Sequence, residues 1–385
     1  MRFIHTADWH LGRVMHGVPL IEDQAHALDQ VIDLVREVEP DAFLISGDVY
    51  DRPVPSKEAV ELLDDFLSRL VLEHRVTVVI IAGNHDSPSR LEFAARVMAG
   101  QGLHVSGSIL ADPVMVTLRD RWGAVRFYAI PFAEPALVRE ALASDTIRSH
   151  EEAMAAVLDR VRSAHPAAER SVLIGHAFVG GGTETESERP LSIGGADRVD
   201  CSCFSGFNYV ALGHLHRPQA AGASHVRYPG SLLKYSFSEA DHGKGLNVVE
   251  MDGSGVCRVE TIPLTPRRDV RIVEGYLEEI LQGPETSESR EDYLLVRILD
   301  TGALLDVMGK LREVYPNVLH VERPGLEMRE GEARNRVDRR KLNDADLFAD
   351  FFGEVTGTDL SAEELAVYES IVDQLRQRDR EAVSP

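Results

Sequence analysis

Thiols, long apolar runs and positive charge are all scarce in this sequence, and each shortage excludes something. Three cysteines, Cys201, Cys203 and Cys257, cannot supply a disulfide framework, and Cys201-Ser202-Cys203 lacks the spacing of a zinc knuckle. We read them as partly buried small hydrophobes. No apolar run approaches a membrane span, and the stretch at Met1-Arg2-Phe3-Ile4-His5 is too short for a signal peptide, so a cytoplasmic protein without membrane association is expected. Lys and Arg number 41 against 63 Asp and Glu, a formal net charge of −22. That balance argues against a general polyanion-binding surface, so a nucleic-acid partner would have to be met by a local basic patch, by metal ions or by another subunit. The glycine-rich "GGGTETESERPLSIGG" is not followed by Gly-Lys-Ser/Thr, which excludes a phosphate-cradling loop and leaves a mobile loop as the expectation.

What is present is ordinary globular composition, 44% hydrophobic and 27% charged over 385 residues. That length exceeds the usual single domain and favours one large domain with smaller appended pieces. Apolar runs at Phe3-Ile4, Ala42 to Ile45 and Val76 to Ile81 alternate with helical faces at Leu28, Val31, Ile32, Val35 and at Val60, Leu63, Phe66, Leu67, Leu70. The pattern is βαβαβ, which predicts helices packed on a largely parallel sheet. Further strands are expected at Val125 to Ile130, Val172 to Ile174, Tyr209 to Leu212 and Leu246 to Glu250, with a helix near Glu151 to Val161, so that one sheet runs to about residue 265.

Beyond residue 265 a small α+β module with one clear amphipathic helix is expected to about residue 335. The segment "EMREGEARNRVDRRK" has almost no apolar content and reads as a linker. Two short helices follow, one opened by a Ser361/Glu364 capping box with Leu365, Val367, Tyr368, Ile371, Val372 and Leu375 on one face. A two-helix tail cannot bury such faces alone, which points to a partner.

Polar residues come directly after the strands: Asp8 and His10 in "HTADWHLG", Asp48 and Asp51 in "ISGDVYD", Asn84, His85 and Asp86 in "IAGNHDSPSR", His176 in "LIGHAF", and His214 and His216 in "VALGHLHRPQ". In open α/β sheets the loops at the carboxyl ends of strands converge, so these five segments can meet. Imidazoles and carboxylates without thiolates suit Mn²⁺, Fe²⁺ or Zn²⁺ rather than an all-oxygen cage. Seven candidate ligands are too many for one ion with an open position; they fit two ions sharing a carboxylate.

With these blocks in hand, the chain resembles the calcineurin-like metallophosphoesterase superfamily, and within it the SbcD-type recombination nucleases. "TADWHLGR", "GDVYDRPVPS", "GNHDSPSRL", "YVALGHLHRPQ" and "YPGSLLKYSFSEADHGKG" carry the likeness over residues 1 to about 265. The resemblance implies an α/β fold: a metallophosphoesterase β-sheet core flanked by helices in residues 1–265, a small α+β capping, DNA-facing domain in 266–335, and a linker with a helical ATPase-binding segment in 336–385. It implies two divalent ions, Mn²⁺ first among candidates, one held by Asp8, His10, Asp48 and His216 and the other by Asp48, Asn84, His176 and His214. His85, outside the ligand set, is assigned to stabilising the transition state or protonating the leaving oxygen, with Asp51 or Asp86 orienting it. One departure is visible: related archaeal and eukaryotic nucleases carry a histidine where this chain has Asp51, so any DNA-handling role of that histidine is not carried over.

The implied activity is metal-dependent cleavage of DNA ends and hairpins, exonucleolytic and endonucleolytic, in repair and recombination. The implied partners are DNA, an SbcC-like ATPase of the SMC family and a second copy in a homodimer, at the nucleoid. Arg13, Arg52 and Arg90 are candidates for the DNA cleft or ordinary surface residues. A phosphatase or small-molecule phosphodiesterase on the same fold is the alternative in chemistry. A non-catalytic scaffold is the alternative in class, against which the complete ligand blocks stand.

Overall fold

The computed structural model describes residues 1–188, 198–284, 289–324 and 344–382. The chain forms two compact units, Met1–Val270 and Arg271–Pro385. The first is built on two six-stranded sheets rather than the single sheet expected. We number its strands β1 (Arg2–Thr6), β2 (Ala42–Ser46), β3 (Thr77–Ile81), β4 (Leu103–Ser106), β5 (Val114–Asp120), β6 (Gly123–Ile130), β7 (Arg170–His176), β8 (Tyr209–Gly213), β9 (Gln219–Ala220), β10 (Val226–Tyr228), β11 (Gly245–Met251) and β12 (Cys257–Pro263).

One sheet has the order β12-β11-β1-β2-β3-β4, and the other β9-β10-β8-β7-β6-β5. Strands β1 to β4 pair in parallel, as do β6, β7 and β8, so within each sheet the carboxyl ends fall on one edge. The later β11 lies antiparallel against β1, with Arg2 opposite Glu250.

The two sheets bury one face each against the other. Phe3, Leu44, Val79 and Ile81 from the first meet Val125, Phe127, Val172, Ile174 and Tyr209 from the second. Phe3 sits edge-on to both Phe127 and Tyr209, with ring centroids 5.7 and 5.4 Å apart. Because side chains alternate along a strand, the intervening residues face helices instead. Phe43 meets Phe66 of α2 (Lys57–Ser68), which lies against α1 (Ile21–Val38). On the far side Tyr128, Ile130, Leu173, Val210 and Leu212 pack with Met154, Val157, Leu158 and Val161 of α4 (His150–Ala164), which follows α3 (Pro135–Leu142).

Strands buried on both faces read as unbroken apolar runs whichever layer covers them. A second sheet is therefore indistinguishable in sequence from a second layer of helices. The strands that sequence did not single out include the sheet edges β4, β5, β9 and β12; β4 is only four residues long, and in the other three exposed positions weaken the pattern. No described helix is long and apolar enough to cross a membrane.

The second unit holds a three-stranded sheet, β13 (Val270–Gly275), β14 (Tyr293–Ile298) and β15 (Val318–Glu322), with β14 and β15 parallel. Its own core joins Leu294, Val296 and Ile298 to Leu311 of α5 (Val307–Val314) and to Leu277 and Ile280. Further on come α6 (Asp344–Thr356) and α7 (Ala362–Ala382). Ser361 and Glu364 form the expected reciprocal cap, with Glu364 N–H donating to Ser361 Oγ at 3.3 Å and Ser361 N–H to Glu364 Oε2 at 2.9 Å. Phe348 stacks on Tyr368 at 4.0 Å, while Val367 and Ile371 stay exposed. The linker expected at residues 327–341 lies outside the described residues, as does the later part of the glycine-rich loop.

Candidate metal centre

The loops after β1, β2 and β3 of one sheet and after β7 and β8 of the other bring their polar residues to one place. The first two run side by side: Asp8 N–H donates to the Gly47 carbonyl at 3.1 Å, and His10 N–H to that of Asp48 at 2.9 Å. Glycine is required where the two sheets close on each other. A Cβ on Gly213 would collide with the Ser46 carbonyl, and one on Gly47, whose φ is +89°, with the His176 ring. The chain also takes a left-handed conformation at Asp8 (φ 53°), His10 (45°), Asp48 (49°) and His214 (111°). Such conformations cost on the order of 1–3 kcal/mol each and persist only where the surroundings enforce them.

All seven candidate ligands converge. Ligand atoms of Asp8, His10 and His216 lie within 4.8 Å of one another, and so do those of Asp8, Asp48 and His176. Asp48 Oδ2 sits 3.7 Å from His10 Nε2 and 3.6 Å from His176 Nε2, between the two groups. Asn84 Oδ1 lies 3.0 Å from His176 Nε2 and 3.3 Å from His214 Nδ1. His214 N–H donates to both oxygens of Asp8, at 2.9 and 3.1 Å.

The donor set fits a cation. His176 Nδ1 is 2.8 Å from the Ser46 carbonyl, which only accepts, so Nδ1 carries the proton. Burial holds His176 below the ordinary histidine range, and it holds His10 and His214 well below it with neighbouring imidazoles adding to the effect. These rings are therefore neutral, the form that ligates metal. The bare Nε2 of His176 then faces the Asp48 and Asn84 oxygens, and His10 Nε2 faces His216 Nε2 at 3.1 Å. Converged lone pairs repel unless a positive charge lies among them. Asp8, buried beside Asp48, has its carboxyl pushed well above the usual range by burial first and by the Asp48 charge second, a penalty that bound cations would relieve.

His85 lies at the same edge, its ring centroid 4.7 Å from that of His10. Its Nδ1–H donates to the Asp51 main-chain carbonyl at 3.0 Å, and its backbone N–H to Asp48 Oδ1 at 2.9 Å. The Nε2 edge is thus the one available for chemistry. The ring is oriented by the Asp51 backbone rather than by the carboxylates expected for it. The Asp51 carboxylate instead pairs with Arg13 at 2.8 Å and lies 3.8 Å from His10 Nδ1, a buried nitrogen without a hydrogen-bond partner. Asp86 accepts backbone N–H groups from Val49 (3.1 Å), Tyr50 (2.9 Å) and Gly83 (2.9 Å) and so ties the β2 and β3 loops together. Burial and Asp48 push its carboxyl up to about 7.

Of the three arginine candidates, Arg13 reaches the centre through Asp51 and lies 5.7 Å from the Tyr235 ring. Arg52 is exposed, 3.5 Å from Asp51, and Arg90 is exposed on the short helix Pro88–Leu91.

Sequence reasoning missed a layer of supporting residues. Gln24 of α1 donates to the carbonyls of Trp9 (3.0 Å) and His10 (2.8 Å) and accepts from Gly12 N–H (3.0 Å). Ser187 and Glu188, in the loop expected to be mobile, hold His216: Ser187 Oγ lies 2.6 Å from its Nδ1, and Glu188 accepts its backbone N–H at 2.7 Å. Glu239 and Lys244, buried behind them, complete that set. The last two fall within the stretch "YPGSLLKYSFSEADHGKG", but nothing in its pattern marks them out from the neighbouring Lys234 and Asp241.

Residues 1–218 match the calcineurin-like phosphoesterase family, and residues 266–356 match a domain family described as the type 5 capsule protein repressor C-terminal domain, SbcD_C. Among curated proteins, the chain is 32% identical over 363 residues to the SbcD subunit of the nuclease SbcCD from Staphylococcus epidermidis, covering 94% of this chain and 95% of that one. It is 33% identical over 375 residues to the SbcD protein of Staphylococcus saprophyticus, covering 97% and 98%.

Proposed function

This chain belongs to the calcineurin-like phosphoesterase family, in its SbcD-type nuclease branch, and from that premise we propose that it cleaves the phosphodiester backbone of DNA ends and hairpins with two bound divalent ions. The observation that carries the choice of substrate is the extent of the likeness. It spans nearly the whole chain, including the second unit, which a small-molecule phosphodiesterase does not need.

Asp8, His10, Asp48 and His216 would hold one ion and Asp48, Asn84, His176 and His214 the other, with Mn²⁺ the first candidate. Bound there, such ions supply Lewis-acid polarisation of the phosphodiester and a water acidic enough to lose its proton near neutral pH. The chain's own part is to fix the donors before substrate arrives, since the left-handed turns and carbonyl-held imidazoles leave little to reorganise. His85, held with Nδ1–H toward the Asp51 carbonyl, presents Nε2 to the substrate, and as the imidazolium, protonated on both nitrogens, it gives the Nε2 proton to the leaving oxygen. Arg13, Arg52 and Arg90 supply local positive charge to a chain that is acidic as a whole.

The relatives' name, which makes them part of SbcCD, supports a partner ATPase of the SbcC type, with the exposed apolar side chains of α6 and α7 as its docking surface. A homodimer and a nucleoid location belong to the same reading. Removing residues 340–385 is expected to abolish co-purification with the ATPase while sparing metal binding; retained co-purification would contradict the docking assignment.

The test of the function is cleavage of end-labelled duplex and hairpin DNA in Mn²⁺, with Asp48→Ala beside the wild type. Activity in the wild type alone supports the reading. No DNA cleavage even with the ATPase and ATP added, together with rapid turnover of a small phosphodiester, would replace it with the small-molecule alternative.

A further inference from the structure

His176 and His216 face the same centre, yet what fixes their ring protons differs. For His176 it is a main-chain carbonyl. For His216 it is a side chain from a loop with no sequence signature. Ser187 Oγ, on a residue only 7% exposed, touches three groups: His216 Nδ1 at 2.6 Å, the Thr185 hydroxyl at 2.9 Å, which can donate to it, and the Glu239 carboxylate. A hydroxyl has one proton to give and lone pairs to receive another.

Glu239 is fully buried, and Lys244 Nζ donates to it as well as to the His216 carbonyl (2.7 Å) and Ser231 Oγ (2.8 Å). Glu239 is ion-paired with Lys244, and its other oxygen lies 3.4 Å from His216 Nδ1, further off than Ser187 Oγ. Ionised, Glu239 can only accept. The Ser187 proton therefore goes to Glu239, and the Ser187 oxygen receives Nδ1–H from His216. In a neutral ring this leaves Nε2 bare, and Nε2 is the atom that lies 3.1 Å from His10 Nε2.

We infer that Ser187 is a positioning residue which, anchored by the Glu239–Lys244 pair, selects the His216 tautomer whose Nε2 can take a divalent ion. The inference rests on the metal-centre reading above. It makes the loop after His176 part of the centre, although the described residues of that loop supply no ligand. Groups of this kind typically change metal affinity by about 10–100-fold when removed.

Glu239→Gln would leave a buried lysine unpaired and endanger folding, so the informative variant is Ser187→Ala, with Ser187→Thr as the conservative control. Isothermal titration with Mn²⁺ should show one of two binding events weakened about 10–100-fold in Ser187→Ala, the other unchanged, and both near wild type in Ser187→Thr. Nitrogen NMR of histidine-labelled, metal-free protein should show His216 protonated at Nδ1 in wild type and Ser187→Thr, but shifted toward Nε2 protonation in Ser187→Ala. Ser187→Ala with wild-type affinity at both sites, or an unmoved His216 tautomer, overturns the inference. Wild-type protein that takes up no Mn²⁺ would instead overturn the metal-centre reading, and the NMR result would still decide the tautomer assignment.

Discussion

The two sheets contribute to the centre in different chemical currencies. The β1–β3 edge gives the carboxylates and the amide, Asp8, Asp48 and Asn84, with a single imidazole, His10, and its carboxylates are placed by left-handed turns and by backbone N–H groups. The β7–β8 edge gives imidazoles, His176, His214 and His216, two of which are oriented from behind by a carbonyl and a hydroxyl. A carboxylate accepts from any direction, so placing its backbone is nearly enough. An imidazole must also have its proton on the correct nitrogen, and that needs a partner behind the ring.

The sharpest way to break this contrast is Asp48→Ala. Asp48 Oδ2 lies between His10 and His176, one from each ligand group, so its loss should abolish tight binding of at least one ion and lower DNA cleavage by about 10³-fold or more. Metal titration and cleavage rates would check this, and near-normal turnover would remove Asp48 from the centre.

His85→Ala should behave differently, because His85 belongs to the carboxylate-bearing edge yet is assigned no ion. Turnover is expected to fall by about 10²–10⁴-fold with metal content intact. Loss of metal together with activity would make His85 a ligand instead.

Gly213→Ala tests the joint between the sheets. Its Cβ would press on the Ser46 carbonyl, the segment that orients His176. Denaturant titration should show a loss of about 1–3 kcal/mol, and the binding step that involves His176 should weaken with it. An unchanged midpoint would mean the two edges are less tightly joined than these contacts imply.

A last effect, confined to acid pH, concerns His5, a histidine of the same strand that leads to Asp8 but is not a ligand. Its Nε2–H donates to the Leu212 carbonyl (3.2 Å) and its Nδ1 accepts from Tyr209 OH (3.0 Å), so the neutral ring is satisfied across the sandwich. Burial brings its pKa down to about 3 from 6.5. The unfolded chain therefore takes up the proton first, and this contribution to stability, full above about pH 6.5, is lost as the pH falls toward 3. Urea titrations of the metal-free protein should show a shallower acid loss in His5→Gln; an identical slope would rule out His5 as a contributor.

Much of this was legible in sequence, for a physical reason. Buried strands are apolar, so the polar residues that end them, such as Asp8, Asp48 and His176, stand out against the run before them. The double sheet was not legible, because Phe43 and Leu44 read alike although one meets α2 and the other the opposite sheet. Nor were Ser187, Glu239 and Gln24, whose importance lies in which atom they touch and which leaves no periodicity. Asp86 was noticed for its position in Gly-Asn-His-Asp, but its work is on backbone amides, which no side-chain pattern records.

The pairing of Arg2 with Glu250 also sets a schedule for the molecule. The strand that leads into Asp8 finds its antiparallel neighbour only after 248 further residues have been made. At synthesis rates of about 5–20 residues per second, the first ligand loop waits roughly 10–50 s on the ribosome before its sheet can be completed. During that interval β1 lacks the antiparallel neighbour at its free edge, and of the centre's imidazoles only His10 and His85 are made before β7. The centre therefore cannot be complete before His216 is made, 206 residues after His10, by which point both of the parallel strand sets that carry its loops have been made.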